Sequence, residues 1–192
     1  MAKKYEFKPD KPYASFFSKL YLTPTQRRSL LKWTLYGAVL VVLSVIQDVL
    51  LCHLNIFGAT TELVPCCIFL ICLLEGVDNG TLFALVSGAL YVFSGSSAGN
   101  HVIVLITGVA FLATFLRQSY LQKGFSAAML CTAGAMVLYS LLVFFIGLFF
   151  GVTHFSRIGV FFLRAFLSLL AAPALYPLLQ AIGKLGGEAW KE

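Results

Sequence analysis

Long, uninterrupted apolar stretches separated by short polar segments make up most of the 192-residue chain. Apolar residues run continuously instead of at every second position, which indicates helices and not the strands of a closed barrel. The stretches predict six helices, over residues 24–51, 62–74, 79–93, 101–116, 125–152 and 158–179. Helix 2 is the weakest of these as a membrane span, because a span needs about 17 apolar residues or more.

The composition excludes a water-soluble fold. Hydrophobic residues make up 59% of the chain and charged residues only 11%, whereas a soluble domain carries about 25% charged residues. We therefore predict an all-α integral membrane protein with six transmembrane helices. Its parts are a basic cytoplasmic N-terminal segment (1–28), a six-helix transmembrane domain (29–183) and a cytoplasmic C-terminal tail (184–192). The N-terminal segment is too long and too charged for a cleaved signal peptide, so we expect it to persist in the mature protein.

Basic residues in the short loops predict the orientation in the membrane. Eight lysines and arginines precede or open helix 1, and more basic residues flank the helix 4 to 5 turn and follow helix 6, whereas the opposite side shows only Arg157. Both termini are therefore predicted to be cytoplasmic. Glu75 and Asp78 fit less well, because they lie in a turn that should be cytoplasmic with no basic residue near them in the sequence.

The N-terminal segment allows two interpretations. Phe16, Phe17, Leu20 and Tyr21 recur at helical spacing around Lys19, which would suit a short helix lying on an anionic membrane surface. A basic tail without regular structure is the alternative, and the sequence does not favour either.

Two charged residues are predicted at membrane depth, Asp48 in helix 1 and Arg164 in helix 6. Such a charge costs at least about 2.5 to 3.5 kcal/mol on insertion scales, so these residues are the first candidates for function. They could form a proton or ion relay, or an interhelical ion pair. We favour the ion pair, because a transport pathway usually needs more than two convergent polar groups.

Small residues and prolines suggest how the helices pack. Gly147 and Gly151 are four residues apart in helix 5, which would allow another helix to approach closely, either within the protein or from a partner. Gly88 in helix 3 is a further candidate for close packing. Pro173 and Pro177 each remove a backbone donor from helix 6 and predict a kink there.

No constellation in the sequence predicts catalysis. The five cysteines lack the spacing of a disulfide framework or a zinc site, and there is no glycine-rich phosphate loop of the GxxxxGK[ST] type. The prediction is therefore a protein that is not an enzyme, with no metal, no cofactor and no nucleic-acid partner. A binding or scaffolding role within membrane lipid is what the residues favour.

A series of features between Gln47 and Arg117 resembles the rod shape-determining protein D family, MreD. The series consists of Gln47 near the end of helix 1, the loop Asn55-Ile-Phe-Gly58, a short apolar helix 2, the segment Gly80 to Tyr91, Gly99-Asn100, and the helix end Leu116 to Tyr120. Length and number of spans also agree. The chain departs from the family at Val92, near where the family commonly has an aspartate. It also has Thr61-Glu62, followed by Pro65, where the family usually begins helix 2 with proline and an acidic or amide residue.

The resemblance implies a non-enzymatic membrane scaffold of the cell-elongation (rod) complex, the elongasome, in the bacterial cytoplasmic (inner) membrane. Such a subunit would bind MreC and, indirectly, MreB, RodA and a class B penicillin-binding protein, helping to position lateral peptidoglycan synthesis and maintain rod shape. The family is also similar in fold to the substrate-binding components of energy-coupling-factor transporters. The alternative function is therefore the substrate-binding membrane component of a small-molecule (vitamin) transporter.

Overall fold

The computed structural model describes residues 24–53, 59–95, 97, 99–120 and 124–185. The interfacial helix considered around Lys19, the Asn55 to Gly58 loop and the tail beyond residue 185 lie outside these ranges, so those predictions stay predictions.

The described part of the chain is almost entirely helical, as predicted. Its α-helices are α1 (Pro24–Val49), α2 (Leu63–Glu75), α3 (Val77–Phe93), α4 (His101–Tyr120), α5 (Phe125–Phe149) and α6 (Ile158–Leu185). Four segments, Gln26–Val49, His101–Tyr120, Phe125–Phe149 and Phe155–Leu185, are long and apolar enough to cross a membrane. The shorter helices α2 and α3 have 13 and 17 residues. The lengths and apolar composition of the four longer segments are those of a membrane protein.

Helix α2 is the centre of the bundle. It contacts each of the other five helices, and every residue from Leu63 to Leu74 is buried. A helix that is apolar all round is stable only when other apolar groups surround it, and here the surroundings are protein. At 1.5 Å per residue α2 is about 20 Å long. Because neighbouring helices enclose it, its length need not match the thickness of the bilayer.

A one-residue turn joins α2 to α3. Gly76 lies between them with φ +92°, a left-handed conformation that favours glycine. Just beyond the turn, Gly80 packs against the backbone of Cys72: a Cβ atom at Gly80 would lie 2.8 Å from the Cys72 carbonyl oxygen. The Cys72 thiol also donates a hydrogen bond to the Gly80 carbonyl at 3.0 Å. The absence of a side chain at position 80 is what allows α2 and α3 to approach this closely.

Gly147 and Gly151 belong to the turn that ends α5, which corrects their predicted role in helix packing. Gly151 lies after the last residue of α5 with φ +68°. The Val152 N–H donates to the Gly147 carbonyl at 2.9 Å, and the Gly151 N–H donates to Leu148 at 3.1 Å. This pair of bonds is a Schellman motif. The group nearest to Gly147 is the side chain of Thr153 in the same turn, not another helix.

Gly88 on α3 faces a neighbouring helix, whereas the two prolines of α6 are on the outside of the bundle. A Cβ atom at Gly88 would lie 3.7 Å from the Ile103 Cα of α4, so this glycine faces the neighbouring helix. Pro173 and Pro177 are exposed, and α6 continues through both. The kink that they predict in α6 stays a prediction.

Candidate functional site

Polar side chains gather at both ends of the buried helix α2. At its N-terminal end, the Arg164 guanidinium lies 3.0 Å from the Glu62 carboxylate. Arg164 also donates hydrogen bonds from Nη2 to the Thr60 hydroxyl at 3.0 Å and from Nε to the Thr60 carbonyl at 3.3 Å. Glu62 is buried, with 6% of its surface exposed. We call Gln47, Thr60, Glu62, Arg164 and Ser168 the Glu62 cluster.

Two side chains of the same cluster accept hydrogen bonds from backbone N–H groups at the start of α2, where such groups have no acceptor within the helix. The Glu62 N–H donates to Ser168 Oγ at 2.7 Å, and the Val64 N–H donates to Gln47 Oε1 at 3.0 Å. Side chains of α1 and α6 therefore accept hydrogen bonds from the backbone at the N-terminal end of α2. The Glu62 carboxylate adds a negative charge at the positive end of the α2 dipole, which is a favourable placement.

A second cluster, the Glu75 cluster, lies at the C-terminal end of α2 and consists of Lys32, Tyr36, Glu75 and Arg117. Lys32 Nζ lies 2.6 Å from Glu75 Oε2, and the Tyr36 hydroxyl donates to Glu75 Oε1 at 2.8 Å. Arg117 Nη1 donates to the Leu73 carbonyl, near the end of α2. Two positive charges thus lie near the negative end of the α2 dipole, and α1, α2 and α4 are held together at one level.

Arg164 has a different acidic partner from the one that the sequence suggested. Its ion pair among the described residues is with Glu62, whereas Asp48 is exposed near the end of α1. The physical reason is the short segment directly before α2, in which Thr60 and Glu62 lie against Arg164 of α6. The expected Asp48 and Arg164 pair is corrected accordingly.

Sequence reasoning identified Arg164 and Gln47 but missed most of their partners. Glu62 was noted only as a departure from the family pattern, and Ser168 not at all. One signal was present: a carboxylate stands directly before the wholly apolar run Leu63 to Leu74, and the N-terminus of a helix favours a negative charge.

The chemistry that the two clusters support is recognition between helices. Their charged groups are paired with one another or with helix termini, so their interactions fix α2 within the bundle. In the part of the chain that the structure describes, no group of three or more histidine, cysteine or acidic residues could hold a metal ion. Cys66, Cys67 and Cys72 are free and buried within α2, where they pack as small apolar side chains.

Fold and clusters together define a helical membrane protein built around a short, fully enclosed helix that is clamped at both ends. Comparisons with protein-family models, with curated proteins and with solved structures find no match to this chain.

Proposed function

We propose that the chain is a six-span, non-enzymatic scaffold subunit of the bacterial rod complex, as its resemblance to MreD implies. In this proposal α2 and α3 form a hairpin across the bundle and count as two of the six spans. The protein binds MreC and, through it, MreB, RodA and a class B penicillin-binding protein. Its role is to help position lateral peptidoglycan synthesis.

The observation that favours a scaffold is the filled centre of the bundle. Ile68, Phe69, Leu70 and Ile71 are fully buried in the middle of α2, so apolar side chains occupy the axis of the bundle. A vitamin-binding transport component needs a cavity with convergent polar groups. The two polar clusters lie at the ends of α2, where they hold helix termini, and this arrangement supports rigid assembly rather than substrate binding.

The proposed orientation places the Glu75 cluster at the cytoplasmic face of the inner membrane, with both termini in the cytoplasm. The pair between Lys32 and Glu75 supports this, because it supplies the basic partner that the acidic turn lacked in the sequence. Arg117 lies at the same end through its bond to Leu73. The Glu62 cluster then lies towards the outer face.

Depletion in the bacterium that encodes the chain tests the proposal. We expect rod-shaped cells to become round and swollen, an MreC-like protein to copurify with the tagged chain, and uptake of vitamins to stay unchanged. Cells that keep a normal rod shape after complete depletion would contradict the scaffold function. Loss of uptake of one vitamin, together with copurification of an energising ATPase, would support the transporter alternative.

A further inference from the structure

An open groove of about 360 Å³ runs between α3 and α4 on the outside of the bundle. Its lining is apolar except at one end, and consists of Val77, Asp78, Thr81, Leu82, Leu85 and Phe111. Leu82 is 70% exposed and Leu85 52% exposed. In a membrane this surface faces lipid, so the groove is open to whatever occupies the bilayer beside α3.

The shape and lining of the groove suit a single hydrocarbon chain. Its α3 residues run from Val77 to Leu85, about 12 Å along the helix axis. Leu82, Leu85 and Phe111 give the groove an apolar wall. An acyl chain lying along α3 fits this elongated apolar space.

The charge at the mouth of the groove indicates which headgroup fits. Asp78 is exposed in the first turn of α3, and in the described residues no ion pair involves it. It lies three residues after Glu75, the ion-pair partner of Lys32. Asp78 is therefore at the polar end of the bundle, which we assign to the headgroup region. A carboxylate there attracts an ammonium group that can donate hydrogen bonds, and repels an anionic headgroup.

We propose that the groove between α3 and α4 binds one acyl chain of a phosphatidylethanolamine molecule, whose ammonium group lies beside Asp78. Leu82, Leu85 and Phe111 contact the chain, and the Asp78 carboxylate accepts hydrogen bonds from the headgroup. Phosphatidylcholine fills the groove equally well but has no N–H donor, and phosphatidylglycerol brings a net negative charge to Asp78. This site does not depend on the scaffold function.

Lipid retention from a defined bilayer tests the site. The full chain is placed in nanodiscs with equal amounts of phosphatidylethanolamine, phosphatidylcholine and phosphatidylglycerol, extracted, and examined by native mass spectrometry for the lipids that remain bound. We expect the wild-type protein to retain phosphatidylethanolamine preferentially. Asp78→Asn should lower that preference about two- to fivefold, the range of an exposed ion pair, while Leu85→Trp should fill the groove and lower retention of all three lipids.

Leu170→Trp is the matched control, because Leu170 is 64% exposed on α6, away from the groove. It should change neither the preference for phosphatidylethanolamine nor the total amount of lipid retained. Should Leu85→Trp fail to fold, Asp78→Asn alone decides the headgroup preference. An unchanged preference in Asp78→Asn would overturn the proposal. So would a photoreactive residue at position 85 that crosslinks to a protein segment instead of to lipid.

Discussion

The guanidinium of Arg164 on α6 lies 3.0 Å from the carboxylate of Glu62, the residue directly before α2. This pair joins the central helix to the last helix, and Glu62 is almost fully enclosed. Removing one member of a buried pair leaves the other charge without compensation, which costs more than the pair itself contributes.

Glu62→Gln is therefore expected to lower the free energy of unfolding by about 3 kcal/mol, the lower end of the range for a buried pair, because 27% of the Arg164 side chain is exposed. Denaturant unfolding in detergent measures the loss. The exchange Glu62→Arg with Arg164→Glu should recover part of it, since the two charges can pair again.

Arg157→Gln is the control, since Arg157 is an exposed charge directly before α6, and its effect should stay within about 0.5 kcal/mol. If Arg157→Gln destabilised the protein as much as Glu62→Gln, while the exchange with Glu62 recovered nothing, the assignment of the partner would be wrong.

The contrast between Asp48 and Glu62 shows which features of the structure the sequence alone predicts. All six helices were predicted in order, and α2 and α3 began and ended within two residues of the prediction, because continuous apolar runs determine helices in lipid. The partner of Arg164 depends on how a short polar segment before α2 packs against α6. Helical spacing contains no information about that contact. The predicted packing role of Gly147 and Gly151 was wrong for a related reason. Glycines four residues apart are compatible with a helix interface and with a capping turn alike.

Gly80→Ala should destabilise the hairpin of α2 and α3. The added Cβ would lie 2.8 Å from the Cys72 carbonyl oxygen and 2.9 Å from its Cα, both backbone atoms that cannot rotate away. Overpacking of this kind costs about 1 to 3 kcal/mol, measurable as a lower unfolding midpoint. Gly134→Ala is the control, because nothing lies within 4 Å of a Cβ there; it should be neutral or stabilise α5 by up to about 1 kcal/mol. Equal effects of the two substitutions would argue against a close helix approach at Gly80.

Gly151→Ala should cost about 1 to 2 kcal/mol, because residue 151 has φ +68° and an L-residue with a Cβ is strained in that region. Gly151→Asn should cost less, since asparagine adopts this conformation more readily than alanine. Thermal unfolding of the purified variants ranks the three residues. A helix-packing role would give the opposite order, with the larger asparagine more harmful than alanine.

The orientation can be tested with single cysteines in a background that lacks the native ones. Ser119 is exposed in the last turn of α4 and Ser156 in the turn before α6, at the opposite end of the bundle. With both termini in the cytoplasm, Ser119→Cys should resist a membrane-impermeant thiol reagent in intact cells and Ser156→Cys should react. The reverse pattern would invert the orientation, and permeabilised cells should label both positions.

The Glu75 cluster should tolerate an apolar replacement better than the loss of one charge. Lys32 Nζ and Glu75 Oε2 are 2.6 Å apart, and each side chain is only 7% exposed, so Lys32→Met leaves a buried carboxylate without its cation and should cost about 3 kcal/mol. The double variant Lys32→Met with Glu75→Leu removes both charges. It should regain most of that loss, because Tyr36 keeps the Leu179 carbonyl as an acceptor at 3.4 Å. Arg28→Met, at an exposed position on the same helix, should change the unfolding free energy by less than about 0.5 kcal/mol. A double variant no more stable than Lys32→Met would mean that the pair contributes a specific contact that apolar packing does not replace.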